Sequence, residues 1–184
     1  MAVKPLSKLT IGLHWIVALS MLGLFGIGLY MAETESYALY PWHKSFGIVI
    51  FPIAVLRIIW RLKEGWPQAV GDYPKLEQVM AKLTHGVLIV ATILMPISGM
   101  VFSAMSGHGF ELFGLSLVAP NHAPGQPDEV LPRNEQIAGF AHEAHEIFGW
   151  VMLVAVMLHV LGALKHHFID KDVTLKRMAG KALD

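Results

Sequence analysis

The sequence predicts an all-α integral membrane protein, a four-helix bundle with both termini in the cytoplasm. Three observations predict it. Of 184 residues, 54% are hydrophobic and only 15% charged, where a soluble domain carries about a quarter charged residues. Four stretches, roughly 10–31, 43–62, 83–105 and 140–165, are long enough to cross a bilayer, for which about 20 mostly apolar residues suffice. The basic residues are also one-sided. The N-terminus, the second connection and the C-terminus, with their adjoining helix ends, hold twelve of the fourteen Lys and Arg, and the opposite side holds only Lys44 and Arg133. That imbalance places both termini inside. Acids divide the other way, eight outside and six inside, so a net charge of zero conceals about +6 inside and −6 outside.

The apolar run from Thr10 to Met31 is longer than a signal-peptide core and no A-x-A-like cleavage site follows, so it reads as a retained first span. Pro52 and Pro96 interrupt the second and third spans, which membrane helices tolerate as kinks. The connections 32–42 and 63–82 are short and make neighbouring helices antiparallel. The longer link, 106–139, contains the polar, proline-rich "PNHAPGQPDEVLPRNEQ". Its apolar piece "GFELFGLSLVAP" is too short to span and is expected to form a short helix at the interface. Trp15, Trp60 and Trp66 at the inner surface, with Tyr30, Tyr37, Tyr40 and Trp42 at the outer, suit aromatic belts. No repeat or low-complexity linker divides the chain, so residues 1–184 read as one membrane domain.

Ten histidines and no cysteine make imidazole the obvious metal or cofactor ligand. The absence of cysteine excludes thiolate-ligated iron–sulfur clusters, disulfides and covalent c-type haem. His14 lies one turn into the first span and His43 opens the second. His145 and His159 lie near opposite ends of the fourth. At about 1.5 Å and 100° per residue, their fourteen-residue separation spans roughly 21 Å and leaves them roughly 40° apart in direction. One helix face therefore carries imidazoles at two depths, matched by His14 at the inner level and His43 at the outer. Two imidazoles from facing helices are what a six-coordinate b-type haem requires. Small residues one turn on, namely Ala18, Gly47, Gly149, Gly162 and Ala163, leave room for a flat ring, although small residues also serve helix packing.

A single histidine at a helix end is ordinarily an interfacial or hydrogen-bonded residue. Four at matched depths, without compensating acids in the spans, point to function because burying ionisable groups in lipid is expensive. His142 lies about 100° from the shared face, with Glu146 one turn on, and is the runner-up ligand. His85 enters the third span at the inner level, where Ile89 at i+4 gives less room. With Lys82 it suits contact to a propionate or a quinone. His166 and His167 sit beside Lys165 at the inner interface, where headgroup contact competes with a quinone role. His108 and His122 fall in the outer loop and are expected to be solvated.

The chain resembles the bacterial di-haem cytochrome b561 family. The resemblance rests on "GLHW", "PWHKSFGI", "RIIWRLK", "LTHGVL", "MPISGM", "AHEIFGW" with "LHVLGALKHHF", and "KDVTLKRM", which together cover nearly the whole length. It implies two non-covalent haem b groups, the inner ligated by His14 and His159, the outer by His43 and His145. It also implies electron transfer from an outer-face donor to ubiquinone near the cytoplasmic end, where His85, Lys82 and His166 sit. Some members resemble superoxide oxidases, so superoxide is a candidate donor. The acidic outer face would repel it, unless Lys44 and Arg133 form a local positive funnel. No catalytic residue is singled out. Expected partners are the lipid bilayer, a quinone and an electron donor, with no nucleic acid, and an oligomer is compatible with the sequence. Two other readings stay open: a haem b membrane-anchor subunit of a hydrogenase or dehydrogenase, and a non-redox histidine-lined proton or metal transporter.

Overall fold

A computed structural model describes residues 4–181. Four of its helices are long and apolar enough to cross a membrane. Helix α1 runs Lys8–Thr34, and its start is set by Ser7, whose hydroxyl accepts the Thr10 N–H at 3.2 Å. After a 3-10 turn at Tyr37–Leu39, α2 runs Tyr40–Glu64 with Pro41 in its first turn, and stops at Gly65. Helix α3 spans Lys75–Met105. Helix α4 spans Glu135–Phe168, its first turn capped by Asn134, whose side-chain oxygen accepts the Ile137 N–H at 3.0 Å. Each helix encloses the stretch expected from hydropathy and extends beyond it. The 34 residues of α4 measure about 51 Å, well over the roughly 30 Å of hydrocarbon, so its ends stand in the headgroup regions or in water.

The interfacial helix expected in 106–139 is not formed, and two β-hairpins take its place. Strands β1 (Phe110–Leu112) and β2 (Leu115–Val118) pair antiparallel, as do β3 (His122–Ala123) and β4 (Gln126–Val130). Apolar and polar residues alternate in "FELFGLSLV", a period of two that a helix does not use. Phe113 and Gly114 both take positive φ in the first turn, the tight geometry that joins two strands. Pro124–Gly125 forms the second turn. The hairpins are tied to the bundle. The Ser45 hydroxyl donates to the Glu111 carbonyl and accepts the Phe113 N–H, both at 3.0 Å, and the Ser103 hydroxyl donates to the Gly109 carbonyl at 2.6 Å. Gly109 has φ 63, and a Cβ there would lie 2.1 Å from the Val118 carbonyl oxygen, so only glycine fits.

The buried core, Val17, Met21, Ile50, Ala54, Ala91 and Met152, lies between the two histidine levels. Many larger apolar side chains, Leu19, Leu56 and Leu161 among them, point outward, as a lipid-facing surface requires. Backbone packing is closest between α3 and α4, whereas α1 packs mainly on α2. At the end that carries both termini, a short helix α5 (Thr174–Met178) folds back beneath the bundle, where the Trp15 indole N–H donates to the Met178 carbonyl at 3.0 Å.

Candidate functional site

The four histidines of the expected column meet in two pairs. At the terminal end, His14 of α1 faces His159 of α4, ring centres 6.1 Å apart. At the hairpin end, His43 of α2 faces His145 of α4 at 6.4 Å. All four rings are half-buried. The rings reach between helices whose backbones stay apart, because α4 packs closely on α3 and not on α1 or α2.

The hairpin-end pair has a defined hydrogen-bond setting. Nδ1 of His145 lies 2.9 Å from the Met95 carbonyl oxygen and 3.1 Å from the Ser98 hydroxyl. A carbonyl only accepts, so Nδ1 carries the proton and Nε2 keeps its lone pair. His43 has a buried Nδ1 with no hydrogen-bond partner. Gly28 and Gly99 make the close approach possible: a Cβ on Gly99 would lie 3.0 Å from Cε1 of His145, and one on Gly28 3.5 Å from Cε1 of His43. Gly47 and Gly162, singled out for space beside the ligands, do face open space. Gly149 does not, since Phe25 and Met95 already pack against it.

The terminal-end pair is more crowded. His85 of α3 lies 5.0 Å from His159, centre to centre. Nη2 of Arg57 lies 3.3 Å from Nδ1 of His14. An apolar groove of about 390 Å³ between α3 and α4 is lined by Leu83, Thr84, Val87, Trp150, Val154 and Leu158, and neither His85 nor His159 lines it.

His166 does not join these rings. Its Nδ1 is 2.9 Å from Asp170 Oδ2 and 3.2 Å from Asp172 Oδ2, and its Nε2 is 3.8 Å from Glu77 Oε1. Lys165 bridges Glu77 at 2.6 Å and Asp170 at 2.9 Å. The Tyr73 hydroxyl donates to Asp172. Burial works against the Asp172 carboxylate, but the hydrogen bonds from Tyr73 and Thr174 outweigh it and hold its pKa below the ordinary value. Burial, then the bond to Asp172, pushes the Tyr73 phenol up to about 12. Glu77, Asp170 and His166 lie close enough to hold a metal ion, but Lys165 already supplies the cation.

The remaining expectations fall as follows. His142 is exposed and packs at a tilt against Phe102 of α3, ring centres 4.6 Å apart, and is not one of the facing pair. Lys82 is exposed, and His167 has a buried Nδ1 without a partner. His108 and His122 are exposed, as expected. Lys44 and Arg133 are engaged with the hairpins. Lys44 donates to the Gly109 carbonyl at 3.0 Å, and Arg133 to the carbonyls of Ala104 and Ala119 at 2.8 and 2.7 Å. Sequence reasoning missed Met95, Ser98 and Gly99 as the seat of His145, although the "MPISGM" motif contains all three in six letters. It also missed Arg57 and the Tyr73–Asp172 contact.

A membrane four-helix bundle that presents facing imidazole pairs at two depths has the architecture of a membrane cytochrome. The comparison with known sequences agrees. The chain belongs to the prokaryotic cytochrome b561 family, whose family model matches residues 6–181. It is 33% identical over 176 residues to cytochrome b561 homolog 2 of Escherichia coli (strain K12), covering 92% of this chain and 88% of that protein. It is 30% identical over 183 residues to the probable superoxide oxidase CybB of Yersinia pestis, 97% of each chain. It is thus a bacterial membrane protein of a haem b electron-transfer family.

Proposed function

We propose that this chain carries electrons across the membrane between an outer donor and ubiquinone, using two bis-histidine haem b groups. His14 and His159 hold one group, and His43 and His145 the other. The observation that carries this reading is the spacing of the rings. Two imidazoles on opposite sides of one metal, each bonded at about 2 Å and with about 1.1 Å more to its ring centre, stand about 6.2 Å apart. The observed separations are 6.1 and 6.4 Å. The 5.0 Å between His85 and His159 is too short for that arrangement, which leaves His85 as a neighbour of the site.

Haem b supplies reversible one-electron chemistry when bound. Held by two imidazoles each, the groups would be suited to electron transfer rather than to binding oxygen. The Nδ1–H bond from His145 to Met95 orients the ring and raises its basicity. The terminal end, rich in Lys and Arg, faces the cytoplasm, and the hairpins face outward. The apolar groove between α3 and α4, which runs from Met80 and Leu158 to Trp150, suits the apolar chain of a quinone. His166, Asp170, Asp172 and Tyr73 form a hydrogen-bonded chain that can take up protons at the cytoplasmic surface.

Superoxide is the donor suggested by the name of the Yersinia pestis relative, a probable superoxide oxidase. Each superoxide would leave as dioxygen, and two electrons with two protons would convert quinone to quinol. Lys44 and Arg133 anchor the hairpins, and they stand against eight acids on that face. A visible spectrum tests the core reading. Purified protein should show sharp low-spin b-type bands with two haems per chain, and a colourless, zinc-replete preparation would sink it. Superoxide-driven quinone reduction tests the rest: His166→Ala should slow it several-fold with both haems retained, and an unchanged rate would remove His166 from the proton path.

A further inference from the structure

Arg57 is a half-buried cation within the membrane-spanning length of α2. Among the described residues, no carboxylate lies within ion-pair distance of it. The acid at this end, Glu64, pairs with Arg61 at 2.9 Å and accepts a hydrogen bond from Thr10. Arg61, one turn along α2, repeats the same charge. A guanidinium stays charged, and a charge in a span is costly without a counter-ion.

The contact with His14 does not meet that need. Guanidinium only donates, so at 3.3 Å the Nδ1 of His14 must be the acceptor. If Nε2 of a neutral imidazole binds a metal, the ring proton moves to Nδ1 and the acceptor is gone. If Nδ1 binds instead, the same lone pair is used. Metal ligation by His14 and the hydrogen bond from Arg57 therefore exclude each other, whichever nitrogen is the ligand.

We propose that Arg57 is a cofactor-binding residue whose guanidinium holds a propionate carboxylate of the porphyrin ligated by His14 and His159. This rests on the ligand reading above. The fork of the guanidinium matches a carboxylate in two parallel hydrogen bonds, and the swap keeps the cation satisfied when His14 takes up the iron. An anionic lipid phosphate offers the same oxyanion chemistry from a second source.

The test uses purified holoprotein in nanodiscs of neutral phosphatidylcholine. Resonance Raman spectra should show a shifted propionate bending band in Arg57→Gln and in Arg57→Lys, because both lose the two-bond geometry. Redox titration should separate the variants. Arg57→Gln removes a positive charge beside the iron, which favours the oxidised form and lowers the reduction equilibrium constant of one haem about tenfold, or about 59 mV for one electron. Arg57→Lys should keep most of the potential. If Arg57→Gln does not accumulate, the band in Arg57→Lys decides alone. An unmoved band in the variants overturns the proposal. So does a wild-type potential that shifts when anionic lipid replaces neutral lipid while that of Arg57→Gln does not, since lipid phosphate would then be the partner. His159→Ala with two haems retained would overturn the ligand reading itself, a failure distinct from either.

Discussion

At the hairpin end, His145 is seated by backbone: its Nδ1 meets the Met95 carbonyl at 2.9 Å, and Gly99 lets α3 press against its ring. At the terminal end, His159 stands among His14, His85 and the guanidinium of Arg57, and no acid forms an ion pair with these rings or with Arg57 among the described residues. One pair is held by neutral hydrogen bonds and shape, the other is crowded by rings and charge. The hairpin-end pair should therefore respond to added volume, the terminal-end pair to lost charge. Under the proposed reading, the difference would give two similar cofactors different environments without different ligands.

Removing a ligand is the largest break in this comparison. His159→Ala should lower the haem content from two per chain to one, counted as pyridine haemochrome, and leave the spectrum of the hairpin-end haem in place. Added volume comes next. In Gly99→Ala the new methyl would meet Cε1 of His145 at 3.0 Å, so the ring must shift and strain its bond to Met95, a cost of about 1 kcal/mol. Low-temperature absorption should show the band of one haem broadened or moved. Gly47→Ala, where a Cβ meets open space, should leave both bands unchanged, and equal spectra for both variants would contradict the steric account.

The smallest effect belongs to the Tyr73–Asp172 contact, which ties the segment before α3 to the segment before α5. It needs an ionised Asp172 and a protonated Tyr73. The lowered pKa of Asp172 adds stability above the ordinary carboxylate value of about 3.9, lost as pH falls through the lower folded value. The raised pKa of Tyr73 adds stability below about 10, lost as pH climbs through about 12. Both groups are partly exposed, so the contribution stays below about 1 kcal/mol. Tyr73→Phe at neutral pH should speed hydrogen exchange in residues 174–180 less than fivefold, relative to intrinsic rates. In the wild type, protection there should fall in acid below about pH 4.

Hydropathy summed over about 20 residues averages away local accidents, which is why all four spans were legible from the letters. The extra turns at Lys75–Lys82 and Glu135–Gly139 were not, because they lie where polar residues cost nothing and hydropathy carries no helix signal. The hairpins depended on a short alternation and two turns, a signal of a few residues that apolar content outweighed. Of the site, depth and facing along α4 were readable from helix geometry, and they paired His14 with His159 and His43 with His145. The same reasoning gave His85 and His166 similar standing, and the structure separates them: His85 adjoins His159, whereas His166 is bonded into an acidic cluster.

By itself, the sequence determined the membrane class, the number of crossings, the charge asymmetry and the depth of each imidazole, because these follow from composition and a fixed rise per residue. Only the tertiary structure decided which carbonyl seats His145, which cation faces His14 and how the outer link folds. Those depend on where two helices meet in rotation and height, and no single helix carries that information.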